Sequence, residues 1–261
     1  MENLFSLNGK VALVTGGSRG IGKMIAEGFL RHGAKVYISS RKVEQCDAAA
    51  EALSAYGECV SLPQDISTLD GVKNLASRLS EQEGQVDILV NNAGAAWGED
   101  FASFPEAGWD KVMDLNVKSL FFLTQGLHEK MKAAASPEQP AKVINIASID
   151  GVRINPWETY SYQASKAAVI HLTKRLAARL INDNICVSGI APGAFPSDMN
   201  RAARDAGDAV GQMIPAKRVG KPEDMAGAAI FLASRAGDYV VGDTVVVDGG
   251  VAYAHIGESF G

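Results

Sequence analysis

A chain of 261 residues with 47% hydrophobic content is long enough for one large α/β domain or two small ones, and apolar enough to fill the core of either. A net charge of −5, with no basic run and no basic face interleaved with aromatics, argues against nucleic acid and against an anionic membrane surface as partners. Cys46, Cys59 and Cys186 form no CxxC pair, and His32, His128, His171 and His255 show no HExxH or other ligand spacing. Free thiols in a reducing compartment, a cytoplasmic location and no catalytic metal are therefore expected. The first residues lack the basic and apolar regions of a signal peptide, and no apolar run approaches the ~18 residues that span a bilayer.

In chain order, Val11 to Val14 is a short apolar run suited to a strand buried on both faces. Gly16, Gly20 and Gly22 follow in a GxxxGxG turn, with Ser18, Arg19 and Ile21 between them. Glycines allow a sharp turn and close approach of backbone to a ligand, and the free N–H groups of the helix that opens here suit a phosphate. The same residues, Gly16-Gly17-Ser18-Arg19-Gly20, match the GxSxG nucleophile elbow of an α/β-hydrolase, for which Asp248 and His255 would complete a triad with Ser18. Only ten residues precede Val11, too few for the earlier strands whose loop supplies half of a hydrolase oxyanion hole.

A helix from about Ile21 to Arg31 ends at Gly33, and a second strand covers Lys35 to Ser39. An acidic residue near the end of that strand would select NAD by binding the ribose 2′-hydroxyl; the sequence instead has Ser40 and Arg41, with Arg19 in the preceding turn. A hydroxyl and two guanidiniums suit a 2′-phosphate, so NADP(H) is expected in preference to NAD(H). A helix of about Val43 to Tyr56 leads to a third strand at Glu58 to Leu62 and then to Asp65 and Ile66. Ile66 can close over an adenine whose amino group Asp65 accepts from; Asp65 is equally suited to cap the next helix, about Leu69 to Glu83. A fourth strand, Val86 to Val90, runs into Asn91-Asn92-Ala93-Gly94, where small residues let the backbone pass close to a cofactor and the amides tie strands together.

Helical stretches then run from about Pro105 through Asn116 and from about Ser119 to Ala135. Asparagine is a poor helix residue, so Asn116 is expected to have a hydrogen-bonding role. A fifth strand at Lys142 to Ala147 delivers Ser148 at its carboxyl end, where open α/β sheets bind ligands. Tyr162 and Lys166, at i and i+4, share one face of a helix continuing to about Ile181. A phenol titrates near ~10, and a neighbouring ammonium is expected to lower that value so that Tyr162 can exchange a proton with a substrate oxygen. Ser148 can hydrogen-bond the same oxygen, Lys166 can also hold the nicotinamide ribose, and Asn116 can support a water leading to Lys166. Tyr160 has Ala164 where a lysine would be needed, which makes Tyr162 the better candidate. Alternation of strand and helix without a composition break predicts one doubly wound domain, a parallel sheet of about seven strands with helices on both faces.

Together, the glycine turn, the NNAG segment, Asn116, Ser148, Tyr162 and Lys166 resemble the short-chain dehydrogenase/reductase family from Gly9 to Gly250. The resemblance implies Tyr162 as acid/base, Ser148 as partner of the developing oxyanion, Lys166 as tuner and ribose ligand, and Asn116 as relay. It places Pro192 and Gly193 beside the nicotinamide, with a carboxamide contact at Ser197, and reads Val246 to Gly250 as the last strand. Leu53 to Gly57, Gly108 to Asn116 and Ala191 to Met199 are similar to the rhamnolipid-associated type of NADPH-dependent 3-oxoacyl reductase. That implies reduction of a 3-oxoacyl thioester, on acyl carrier protein or CoA, to the 3-hydroxy product; sugar, polyol or steroid alcohols are the alternative substrates. Trp97, Ile154, Pro156, Trp157, Phe195, Met199 and Met213 are candidates for an apolar pocket, and Arg153, Arg201 and Arg204 for an anionic carrier. A substrate loop at about 194–216 can act as a mobile lid. In the family, the long helices and the C-terminal extension 251–261 form a homotetramer or homodimer interface, which is expected here.

Overall fold

The computed structural model describes residues 3–254. Among them, seven strands form one parallel sheet: β1 Val11–Thr15, β2 Lys35–Ser39, β3 Cys59–Ser61, β4 Ile88–Asn91, β5 Ala141–Ile146, β6 Ile185–Pro192 and β7 Thr244–Val247, in the order β3-β2-β1-β4-β5-β6-β7. The doubly wound α/β architecture expected from the alternation is the one found. The helices are α1 Gly20–Arg31, α2 Val43–Leu53, α3 Leu69–Gln82, α4 Glu106–Met113, α5 Ser119–Gly126, α6 His128–Ala134, α7 Tyr160–Leu180, α8 Arg201–Asp205, α9 Gly207–Gln212 and α10 Pro222–Ala233.

The apolar strands are explained by burial on both faces. Ala12, Val14 and Ile38 point into a core half with Ile25, Phe29 and Ile230, contributed by α1 and α10. Leu13, Tyr37 and Leu89 point to the opposite half with Leu75, Leu79 and Leu123, from α3 and α5. Neighbouring residues on a strand serve opposite cores because side chains alternate across the sheet.

A polar seam crosses the middle of the sheet. Asn91 on β4 donates through Nδ2 to Asn145 Oδ1 on β5 at 2.9 Å and to Thr124 Oγ1 at 3.1 Å, and Asn145 Nδ2 donates to Thr173 Oγ1 of α7 at 3.0 Å. All four are buried. The strand-tying role expected of the NNAG amides is thus seen for Asn91, while Asn145, Thr124 and Thr173 were not singled out by any motif. Asn145→Ala takes one partner from the Asn91 amide, which keeps Thr124, and one from the Thr173 hydroxyl, which keeps Val169 O; at about 0.5–1.5 kcal/mol per lost hydrogen bond, it will lower the urea midpoint of the cofactor-free protein.

Several boundaries differ from expectation. The last strand, expected at Val246 to Gly250, is Thr244–Val247, because the chain turns at Asp248, which accepts from Gly250 N at 2.8 Å, and Gly249 and Gly250 have positive φ. The second helix stops at Leu53, not Tyr56, with Ser54 at its C-cap, and the Tyr56 ring lies under the Arg31 guanidinium at 3.7 Å. The stretch expected as one helix from Ser119 to Ala135 breaks at Leu127 into α5 and α6. Between α4 and α5, Asp114–Lys118 forms a π-helical turn in which the Ser119 N–H donates to Asp114 O. Such a turn carries one extra residue, here within the segment that holds Asn116.

Candidate active site

The sheet order reverses between β1 and β4, and the loops after these strands border a crevice at their carboxyl ends. Gly16 has φ +65°, and a Cβ there would lie 2.7 Å from Asn92 Nδ2. A Cβ on Gly22 would lie 2.3 Å from Gly16 O, so the turn closes only on glycine. Asn92 Nδ2 donates to Thr15 O at 2.8 Å and Gly16 O at 3.3 Å. Its side chain therefore braces the turn. Thr15, which no motif marked, accepts the Asn92 and Ala93 N–H groups on Oγ1, both at 3.0 Å. These bonds fix Ala93 and Gly94 beside β1; a Cβ on Gly94 would sit 3.2 Å from Asn116 Oδ1.

A dinucleotide phosphate finds a fitting start in α1, which has no side-chain cap at Arg19 and no acidic residue in its first turn. At the end of β2, Ser40 Oγ is buried without a hydrogen-bond partner and Arg41 is exposed. An orphaned hydroxyl beside a guanidinium is what a 2′-phosphate would satisfy. Arg19 is engaged by Asp198 in an exposed ion pair. Ser18 and Ile21 lie in the turn and the first residues of α1. Asp65 Oδ1 accepts from Ser67 N at 3.0 Å, whereas Thr68 caps α3 by accepting from Gly71 N at 3.2 Å. The capping alternative for Asp65 is thereby removed. Ile66 is buried in the core half that contains Leu62 and Val72.

Ser148, Tyr162 and Lys166 come together beyond β5. Ser148 is buried and accepts from Asp150 N at 3.1 Å, which opens the short turn Ile149–Gly151. Gly151 lies against α7 so closely that a Cβ would sit 2.5 Å from the backbone carbon of Lys166. Lys166 is buried, donates to Ile146 O at 2.8 Å and lies with Nζ 5.6 Å from the Tyr162 ring centre. Burial pulls its ammonium down to about 8, against the nearby Asp150 carboxylate. The Tyr162 phenol is pushed up to about 12 by burial, opposed by a hydrogen bond from Ser148 and reinforced by Asp150. This reverses the expectation that Lys166 lowers it: the ammonium is turned to the Ile146 carbonyl, and desolvation dominates. Tyr160 is bonded through its hydroxyl to Glu158 at 2.7 Å and is partly exposed.

Asn116 is buried in the π turn. Its Nδ2 donates to Ala95 O and Ser165 Oγ, both at 2.9 Å, and its Oδ1 accepts from Ala95 N at 2.8 Å. Ser165, unmarked by the sequence, in turn donates to Tyr162 O at 2.7 Å. Both amide hydrogens are thus spent joining the NNAG loop to α7, and only acceptor capacity remains for a water.

Of the residues expected to line an apolar pocket, Ile154, Pro156, Trp157, Met199 and Met213 are exposed, Ile154 by 85%. Phe195, expected among them, is instead 2% exposed and packs on Gly220, where a Cβ would lie 2.3 Å from its ring. The apolar side of the β6 end drew it into the core. Trp97 packs on Gly108 with Lys111 Nζ 5.0 Å from its ring. Of the candidate carrier contacts, Arg153 donates to Val251 O at 3.0 Å and Arg204 pairs with Asp198 and Asp205. Gly193 donates to Val247 O at 2.9 Å, and a Cβ on it would meet Asp248 at 2.6 Å; Pro192 ends β6. Ser197 lies over the glycine turn, its Cβ 3.2 Å from a Cβ built on Gly20, and its Oγ accepts from Asn200 N at 3.0 Å.

The hydrolase alternative does not survive this geometry. Asp248 follows β7, four strands from β1 and so about 19 Å from Ser18's strand at ~4.8 Å per strand, and its carboxylate accepts from Gly250 N and Ala252 N. His255 lies outside the described residues. Among the described residues no group of three or more His, Cys, Asp or Glu is placed to hold a metal ion, and no helix is long and apolar enough to cross a membrane.

A cofactor crevice beside a Ser, Tyr and Lys cluster defines a nucleotide-dependent oxidoreductase class, and comparison with known proteins agrees. Residues 16–252 match the family described as enoyl-(acyl carrier protein) reductase, and the chain belongs to the short-chain dehydrogenases/reductases. It is 48% identical over 253 residues to the rhamnolipids biosynthesis 3-oxoacyl-[acyl-carrier-protein] reductase of Pseudomonas aeruginosa, covering 96% of this chain and 99% of that protein. The Pseudomonas aeruginosa RhlG/NADP active-site complex superposes with a TM-score of 0.92 at 47% identity, over 96% of this chain and 99% of the other. The 2-dehydro-3-deoxy-D-gluconate 5-dehydrogenase of Dickeya dadantii is 39% identical, over 95% and 97% of the two chains.

Proposed function

We propose that the protein is an NADPH-dependent reductase that converts the ketone of a 3-oxoacyl thioester, on acyl carrier protein or CoA, to the 3-hydroxyacyl product. The observation that carries this reading is the convergence of buried Ser148 and Lys166 with half-buried Tyr162 at the carboxyl end of β5, beside an uncapped helix start and an orphaned Ser40 hydroxyl. NADPH, when bound, supplies the hydride. Tyr162, with its phenol held protonated by burial, donates its proton to the ketone oxygen, and Ser148 donates a hydrogen bond to the same oxygen as charge develops. Lys166 positions the ribose and supports the phenol, and Asn116 keeps the NNAG loop and α7 in register. Gly16, Ser18, Gly20, Ile21 and Gly22 form the phosphate cradle, Ser40, Arg41 and Arg19 select the 2′-phosphate, and Asp65 and Ile66 border the adenine. Ala93 and Gly94 offer close-lying backbone, while Pro192, Gly193 and Ser197 border the nicotinamide.

The exposed Ile154, Trp157, Met199 and Met213 favour an acyl chain over a sugar, which would call for hydroxyl-binding polar groups at the mouth. The relative that is a 2-dehydro-3-deoxy-D-gluconate 5-dehydrogenase keeps sugar acids in the test. Loss of the reduced-nicotinamide absorbance is to be followed with acetoacetyl-CoA, a longer 3-oxoacyl thioester, an enoyl thioester and sugar ketones, each with NADPH and NADH. Oxidation of NADPH by the 3-oxoacyl thioesters supports the proposal; turnover of sugar ketones or of the enoyl thioester alone overturns the substrate.

Arg41→Ala will raise KM for NADPH about tenfold, the loss of one charge-assisted contact, with little change for NADH; an equal effect on both cofactors refutes the 2′-phosphate role. A cytoplasmic homotetramer, or a dimer, completes the reading, and a single-chain mass in sedimentation would refute it.

A further inference from the structure

Arg19 occupies the glycine turn, and its Nη1 donates to Asp198 Oδ2. The other oxygen, Asp198 Oδ1, accepts from Arg204 Nη1 of α8 at 2.6 Å. Arg204 also grips Asp205 through Nε and Nη2 at 2.7 and 3.1 Å. The segment that carries Asp198 is locally stiff: Ser197 Oγ accepts from Asn200 N, and Asn200 Oδ1 accepts from Ala203 N at 3.1 Å to cap α8. It also lies directly over the turn, as the Gly20 to Ser197 contact shows. One carboxylate therefore connects the cofactor turn to α8.

We propose that Asp198 is a cofactor-specificity residue: it competes with the 2′-phosphate for Arg19 and couples the filling of that phosphate site to the position of α8. This rests on the NADPH reading above. A 2′-phosphate carries more negative charge than the carboxylate and offers more acceptor oxygens, so it takes Arg19 from Asp198 and repels what remains. Asp198 then keeps only Arg204, and the strut between turn and α8 is broken. NADH, with a 2′-hydroxyl, leaves the Arg19 to Asp198 pair in place. Asp198 is held below the usual carboxylate range by Arg19 first and Arg204 second, so it is anionic when the cofactor arrives. The two side chains of the pair are 65% and 49% exposed, so the competition is modest and weakens with salt.

The experiment is calorimetric titration of NADPH and NADH into wild type, Asp198→Asn, Arg19→Ala, their double variant and Arg41→Ala, with hydrogen exchange of residues 200–212 as a second readout. The Asp198→Asn protein is expected to bind NADPH about threefold to tenfold more tightly, as removal of one weakly screened charge allows, with NADH unchanged. The gain is expected to vanish in the Arg19→Ala background, and exchange in 200–212 is expected to rise with NADPH and not with NADH. Unchanged or weaker NADPH binding by Asp198→Asn, or a gain that persists without Arg19, overturns the inference. If Arg41→Ala weakens NADPH while Asp198→Asn does nothing, the inference fails and the cofactor reading stands. Wild type that binds no NADPH overturns both.

Discussion

Tyr162→Phe will bind NADPH as the wild type does and reduce its thioester substrate about 10²–10⁴-fold more slowly, the span that a lost general acid accounts for. The substitution removes one hydroxyl from a half-buried ring and leaves Ser148, Lys166 and Asn116 in place, so the loss falls on kcat and not on cofactor affinity. Because burial pushes the phenol up to about 12, the proton donor is present across the neutral and mildly alkaline range. Ketone reduction should therefore lack a phenol-dependent fall below pH 9, while the reverse oxidation, which needs the phenolate, should climb with pH. Undiminished turnover in Tyr162→Phe would remove Tyr162 from the chemistry.

Lys166→Met is expected to lower turnover by about 10²-fold or more and to make the fold more stable at neutral pH. An ammonium that titrates at about 8 when buried and at 10.5 ordinarily binds its proton less well in the folded chain. Its cost is full below pH 8 and declines as pH rises toward 10.5, since over that window the unfolded chain holds more protons and stability rises with pH. The advantage of the methionine variant is about 2–3 kcal/mol at pH 7, converting the shift at 1.36 kcal/mol per unit and allowing for the lost bond to Ile146 O. Urea midpoints of both proteins at pH 7 and pH 10 give the check: the gap must shrink at the higher pH. A variant less stable than wild type at pH 7 would mean that Lys166 contributes more through its hydrogen bond than it costs by burial.

The sequence made the architecture readable because both signals that define it are local. Apolar runs such as Val11 to Val14 need no knowledge of their neighbours to be taken as doubly buried strands, and Gly16 and Gly22 announce a turn that only glycine can close. Ser148, Tyr162 and Lys166 were legible from their positions after a strand and along a helix face. What stayed hidden depends on contacts between distant residues. Thr15 and Asn92 are 77 positions apart, and only the folded sheet shows that the asparagine braces the turn. Phe195 looks like a pocket residue until Gly220 is found beneath its ring. The direction of the Tyr162 shift depends on where the Lys166 head group points, and no i, i+4 spacing fixes that.

The π turn at Asp114–Lys118 has a consequence for which kinds of mutation the chain can absorb. A π turn takes up its extra residue by widening, so excising one residue from it lets the backbone close into ordinary α-helix with the flanking segments near their present register. Leu120 and Leu123 would keep the core faces they now fill, while Asn116, moved out of the widened turn, would leave Ala95 and Ser165. The chain can therefore lose a residue here and still pack α4 and α5, but it loses the tie between the NNAG loop and the catalytic helix, which makes Asn116 the position where chain length and residue identity both matter.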